Sequence, residues 1–110
     1  MGQLGEFEQM VLFSVLRLGD EAYGLALREV IKHQTGRTVS SGAVYTTLGR
    51  LEERSLVSSS VGTPIPGRSG RPRKYYTLTP SGAKALMAAY TTTQQLADGL
   101  VTTLAALAES

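Results

Sequence analysis

A chain of 110 residues has room for one small domain, in which roughly 60 to 70% of the unfolded chain's surface can be buried, and this leaves little volume for a catalytic cleft. It contains no cysteine, which excludes disulfides and thiolate metal sites and makes an intracellular, cytoplasmic setting the expectation. The formal charge of +2 is unevenly spread: residues 1–53 carry five Lys/Arg against seven Asp/Glu, residues 54–97 six against none, and residues 98–110 none against two. An acid-free stretch of this kind gives one face a positive field that attracts a polyanion.

In the first segment Leu4, Phe7, Val11, Ser14, Val15 and Leu18 recur at helical spacing, and Met10, Leu12, Phe13 and Leu16 make the helix apolar nearly all round. One buried face does not need so much. The helix is expected to pack on two sides, against its own core and against a second subunit, with Phe7 and Val11 at that interface. Residues 10–16 are too few to span a bilayer, which takes about 20. Glu6 and Glu8, with no basic residue before them, also argue against a secretory signal.

Gly19 and Asp20 end this helix. The second is predicted over residues 23–35, with Tyr23, Leu27, Val30, Ile31 and Gln34 on its inner stripe, Arg28, Lys32 and His33 turned outward, and Gly36 closing it. Ser40 or Ser41 then supplies a cap for a third helix. There Val44, Leu48 and Leu51 face the core, which leaves Ser41, Gly42, Tyr45, Thr46, Gly49, Arg50 and Glu53 outside. Small residues in the first turn let backbone approach DNA, while Tyr45, Thr46 and Arg50 reach base edges or phosphates.

Residues 56–61 and 74–78 read as two strands. Between them Arg68, Arg71, Arg73 and Lys74 place four cations within seven residues, and Gly67, Gly70 and Pro72 keep the backbone out of regular structure. Tyr76 shares its parity with Leu78 and is expected inward, with Tyr75 outward. A helix followed by a basic hairpin is the layout of a winged helix-turn-helix. The expected partner is a double-stranded DNA operator, contacted by Ser40, Ser41, Gly42, Tyr45, Thr46, Arg50, Arg68, Arg71, Arg73 and Lys74.

Thr79 and Pro80 open the last predicted helix as cap and first helical residue. Ala83, Leu86, Tyr90, Thr93, Ala97, Leu100, Leu104 and Leu107 follow, and from Leu86 the steps alternate between four and three. That heptad stripe predicts one long helix pairing with a second copy, parallel or antiparallel, through Leu86, Tyr90, Thr93, Ala97, Leu100, Leu104 and Leu107, the alternative being a helix folded back on its own domain. Thr93 and Ala97 are small, so the centre of the seam permits close approach or leaves a gap for a small-molecule effector. The fold class expected is mostly α with a small β-hairpin: a DNA-binding unit over residues 1–79 and a dimerisation helix over 80–110, forming one compact unit.

Enzymatic readings find no site. His33 is the single histidine, Glu52-Glu53 and Asp20-Glu21 are sequence neighbours that point about 100° apart on a helix, and Gly67 to Gly70 lacks the Lys-Ser/Thr ending of a phosphate-binding loop. No catalytic residue, metal or cofactor is expected. The alternative function is a dimeric protein-interaction module whose basic loop grips an acidic partner.

Three blocks carry a family resemblance: Ala22-Tyr23-Gly24, the run from Gly42 through Tyr45 and Arg50 to Glu52, and the run from Arg71 through Tyr75 and Tyr76 to Thr79. In this order they resemble the PadR family of transcriptional regulators. The resemblance implies a homodimeric repressor, the third helix in the major groove, the wing on adjacent backbone or minor groove, and the short branch with a single C-terminal helix. Ser55 stands where the family usually has glycine, which implies either a left-handed serine or a different turn. Some short members bind flat aromatic drugs between tryptophans; this chain has no tryptophan, so drug sensing is not carried over.

Overall fold

The structure, a computed structural model, describes residues 3–62 and 72–110. In chain order it has α1 (Glu6–Leu18), a 3-10 turn (Gly19–Glu21), α2 (Gly24–Thr35), α3 (Ser41–Glu53), β1 (Val57–Val61), β2 (Lys74–Leu78), α4 (Pro80–Ala97) and α5 (Val101–Ala108). The mostly helical class with one small hairpin is as expected.

The first helix buries one face against its own core and leaves apolar residues exposed on the other. Val11, Leu12, Ser14 and Val15 are buried, with the Ser14 hydroxyl donating to the Met10 carbonyl at 2.7 Å, while Phe13 and Leu16 stay exposed on the far side. The core continues through Ala22, Leu27, Ile31, Val44, Leu48, Leu51, Leu56, Val57, Tyr76 and Leu86. Gln34, expected on the inner stripe of α2, is exposed, because the helix is already leaving the core when it reaches its last turn. Gly36 ends α2 in the left-handed conformation with φ 76°, and Ser40 caps α3, its Oγ accepting from the Ala43 N–H at 3.0 Å.

The exit from α3 answers the question that Ser55 raised. Leu56 N–H donates to the Leu51 carbonyl and Ser55 N–H to the Glu52 carbonyl, each at 2.9 Å, and Ser55 takes φ 60°. This is a Schellman closure with a serine at the left-handed position, and Leu51 and Leu56, at its two ends, are both buried in the core.

The strands pair antiparallel with Val57 opposite Leu78, Ser59 opposite Tyr76 and Val61 opposite Lys74. Tyr76 is inward and buried, as its parity with Leu78 suggests. At the hairpin's base the Thr79 N–H donates to the Leu56 carbonyl at 3.1 Å and the Thr79 hydroxyl to the Ser55 carbonyl at 2.7 Å. The same hydroxyl oxygen caps α4 by accepting from the Gly82 N–H at 2.9 Å. A Cβ on Gly82 would lie 2.0 Å from the Leu56 carbonyl oxygen, so only glycine lets α4 start this close to β1.

The single long C-terminal helix is corrected. Asp98 is extended at ψ 129°, Gly99 is left-handed at φ 78°, and the chain turns before α5 begins. Glycine has no Cβ to oppose that conformation, and the turn interrupts the i to i−4 ladder that a continuous heptad face requires. Leu100, Leu104 and Leu107 therefore belong to a separate segment from Leu86, Tyr90, Thr93 and Ala97. Val11 and Leu86, expected at the subunit seam, are also corrected: at 0% and 4% exposure they pack inside their own chain.

Glycine at position 55 removes the left-handed penalty of serine and adds backbone entropy to the unfolded chain, leaving a net stabilisation of about 0.5 to 1 kcal/mol. Ser55→Gly is expected to raise the urea midpoint with an unchanged slope in equilibrium unfolding followed by circular dichroism.

Candidate nucleic-acid interface

The outer face of α3 is the expected one. Ser41, Gly42, Tyr45, Thr46, Arg50 and Glu53 are exposed and Gly49 is half-buried, while Val44, Thr47, Leu48 and Leu51 are buried. Ser40 is committed to capping, and the Ser41 hydroxyl accepts from the Arg28 guanidinium at 3.1 Å. Arg28 also donates to the Val39 carbonyl at 3.0 Å. Expected to point into solvent, it instead ties α2 to the turn that launches α3. Arg50 is exposed and makes no ion pair among the described residues.

Tyr45 reaches outward from a seat that the sequence did not reveal. A Cβ on Gly24 would come within 2.4 Å of its ring and hydroxyl, so the tyrosine lies directly across the first residue of α2. This close approach accounts for Gly24 in the Ala22-Tyr23-Gly24 block. The wing is fastened to the same place: Tyr76 N–H donates to the Ala22 carbonyl at 2.8 Å, and Tyr23 and Tyr75 form an isolated antiparallel bridge.

Of the wing cations, Arg68 and Arg71 lie outside the described residues. Arg73 has its guanidinium carbon 4.2 Å from the centroid of the Tyr23 ring. Lys74 is held between Glu52, at 3.3 Å, and the Tyr76 ring, 5.6 Å from its centroid. Glu52 also accepts a short hydrogen bond from the Ser59 hydroxyl, so one carboxylate from the last turn of α3 grips both strands. Burial pushes the Tyr76 phenol up, against the opposing pull of the Lys74 charge.

Among the residues expected at a subunit contact, Phe7 is half-buried against the core and Ala97 half-buried, while Tyr90, Thr93, Leu100, Leu104 and Leu107 are exposed. Phe13 and Tyr90 meet edge to face with centroids 6.4 Å apart, joining the outer side of α1 to α4. An open groove of about 550 Å³ lies in the elbow between α4 and α5, lined by Gln94, Gln95, Ala97, Asp98, Gly99 and Val101. Among the described residues no acidic or histidine cluster could hold a metal ion, and no helix is long and apolar enough to cross a membrane.

A capped helix exposing small, polar and basic residues, followed by a hairpin with arginine and lysine at its base, defines a winged helix-turn-helix of the DNA-binding class. Residues 12–88 match the Transcriptional regulator PadR-like family, and the chain belongs to it. It is similar in structure to a PadR family transcriptional regulator from Eggerthella lenta, with 27% identity, a TM-score of 0.68, and coverage of 90% of this chain and 86% of that one. It is similar also to a PadR-like regulator from Bacillus cereus, at 22% identity and a TM-score of 0.69, covering 89% of each chain. A PadR-like transcription factor from Bacteroides fragilis matches at 26% identity and a TM-score of 0.63, covering 82% of this chain and 85% of that one. No curated protein matches the sequence.

The hydrogen bond from Ser59, chiefly, and then Lys74 hold the Glu52 carboxyl below its ordinary 4.5, against desolvation that raises it. The folded carboxylate thus binds its proton less tightly than the unfolded one. Its stabilisation is present above about pH 4.5 and is lost as the pH falls through the lowered folded value. Glu52→Gln removes this component. The gap in urea midpoint between wild type and variant is expected to be widest near about pH 7 and to shrink at about pH 3.

Proposed function

We propose that the chain is a cytoplasmic, homodimeric repressor that binds a specific double-stranded operator, with residues 1–79 as the DNA-binding unit and residues 80–110 as the dimerisation arm. The observation that carries this reading is the shared mounting of α3 and the hairpin on the start of α2, where Gly24 seats Tyr45 and Ala22 seats Tyr76. Reader and wing then move as one body. Thr46 and Arg50 project from the exposed face of α3 toward base edges, Tyr45 flanks them, and Gly42 admits the backbone. Arg68, Arg71 and Arg73 meet adjacent backbone, and Lys74 adds to the field while bracing the strand through Glu52.

Membership of the PadR-like family favours this reading over a protein-interaction module, and the apolar outer side of the molecule supplies its second half. Phe13, Leu16, Met87, Tyr90, Leu96 and Leu100 are all exposed on α1, on α4 and at the elbow. A single chain leaves them in water, and a second copy covers them. The elbow groove borders this surface and is where a small-molecule effector would alter the spacing of the two reading heads.

With three phosphates neutralised per subunit, affinity is expected to fall roughly a thousandfold between about 50 and 200 mM salt. Arg50→Ala and Thr46→Ala should each cost about 1 to 3 kcal/mol on the preferred duplex and little on random DNA, whereas Arg73→Ala weakens both. Fluorescence anisotropy on duplex from its own promoter and on a scrambled duplex separates the two patterns; equal losses on both for every variant would remove α3 as the reader.

Leu104 is 65% exposed in the single chain, so a charge there does not disturb the protomer's core. Leu104→Glu buries a carboxylate only if a second copy covers α5. Light scattering is expected to report monomers for the variant, with unchanged helical circular dichroism and much weaker DNA binding. An intact dimer would move the seam off α5.

A further inference from the structure

The two described cations of the wing are held by different means. Lys74 is paired with a carboxylate and lies over the ring of Tyr76 on its own strand, whereas Arg73 lies over an aromatic ring that belongs to another element. That ring is Tyr23, the residue before α2, in extended conformation at φ −120° and ψ 163° and bridged to Tyr75 in antiparallel fashion. The Tyr23 and Tyr75 rings meet edge to face, with centroids 5.7 Å apart and planes at 75°. The Tyr75 ring in turn fills the space beside Gly62, where a Cβ would stand 2.6 Å from it. Gly62 N–H closes the circuit by donating to the Arg73 carbonyl at 2.7 Å.

Gly62, Tyr75, Tyr23 and Arg73 therefore form one continuous mount at the base of the wing. A guanidinium over a ring face is attracted by the ring's quadrupole and keeps its N–H donors at the edge of its plane. It can stay stacked while its edge forks onto a phosphate. Restricting an otherwise mobile arginine before the DNA arrives removes ordering that binding would have to impose.

We propose that Tyr23 is a positioning residue for DNA binding, whose ring fixes the Arg73 guanidinium at the base of the wing with its donor edge toward the phosphate backbone. The inference rests on the DNA-binding reading above and adds to it a residue on α2's threshold that touches no base. Phosphate contact is independent of sequence, so the test needs no operator: a random duplex at low salt is the probe.

On that probe Arg73→Ala and Tyr23→Leu are each expected to weaken binding by about fivefold or more. Tyr23→Phe, which keeps the ring, should bind within about twofold of wild type. Arg73→Lys keeps the charge without the planar stack and should fall between wild type and Arg73→Ala. The Tyr23→Leu/Arg73→Ala double variant should bind no worse than Arg73→Ala alone, because the ring acts through the arginine. Gly62→Ala, which displaces the Tyr75 ring from the other end of the mount, should reproduce part of the Tyr23→Leu loss if Tyr23→Leu does not fold. Failure of the wild type itself to show salt-dependent binding overturns the DNA reading and this inference together. Wild-type binding that Arg73→Ala weakens but Tyr23→Leu and Gly62→Ala leave unchanged overturns this inference alone, as do losses from Tyr23→Leu and Arg73→Ala that simply add.

Discussion

The hydrogen bond from the Tyr76 N–H to the Ala22 carbonyl, 2.8 Å long, is the joint on which the arrangement turns. A two-stranded hairpin alone is marginal in water, because one ladder of hydrogen bonds and one half-covered face do not offset the cost of ordering it. Here residues 22 and 23 act as a fragment of a third strand, through that bond and the Tyr23 to Tyr75 bridge. The Tyr76 ring goes into the core beside them. The wing's direction is thereby set by the start of α2, and α3 takes its own direction from the same point, since Tyr45 lies across Gly24 and Arg28 anchors the turn before Ser41.

This shared origin changes what the basic residues do. Arg28, Arg37 and Lys74 are each bonded to another part of the chain, Arg54 pairs with Glu8, and Arg73 is stacked on Tyr23. Exposed pairs of this sort contribute little to stability in water. Their value lies in orientation, because a tethered cation still contributes its charge to the field while its side chain is held in place. Arg50 differs in projecting from α3 with no ion pair among the described residues.

A different constraint governs the C-terminal third. Most of α4 beyond Leu86 and all of α5 lie on the surface, and α5 carries no charged side chain from Val101 to Ala108. An apolar helix with no core of its own to join is stabilised by burying that face elsewhere. The break at Gly99 gives α5 a direction independent of α4, so two short faces replace the single seam that uninterrupted heptads would produce.

The class of the protein was legible in the sequence because it rests on local signals: a cap at Ser40 or Ser41 and another at Thr79, the 3.6-residue spacing of Val44, Leu48 and Leu51, the inward parity of Tyr76, and the clustering of arginines within an acid-free stretch. Each of these depends on residues close together in the chain. What only the tertiary structure decided depends on residues far apart. Val11 and Leu86 are interior because α1 and α4 pack there, and spacing alone does not distinguish a face that meets its own core from one that meets a partner. Gly24 is required by a tyrosine 21 positions later, and Glu52, in the last turn of α3, is bonded to both strands of the hairpin. The helix break was missed for a related reason: heptad counting registers which residues are apolar, whereas a left-handed Gly99 rotates every later side chain without changing the count.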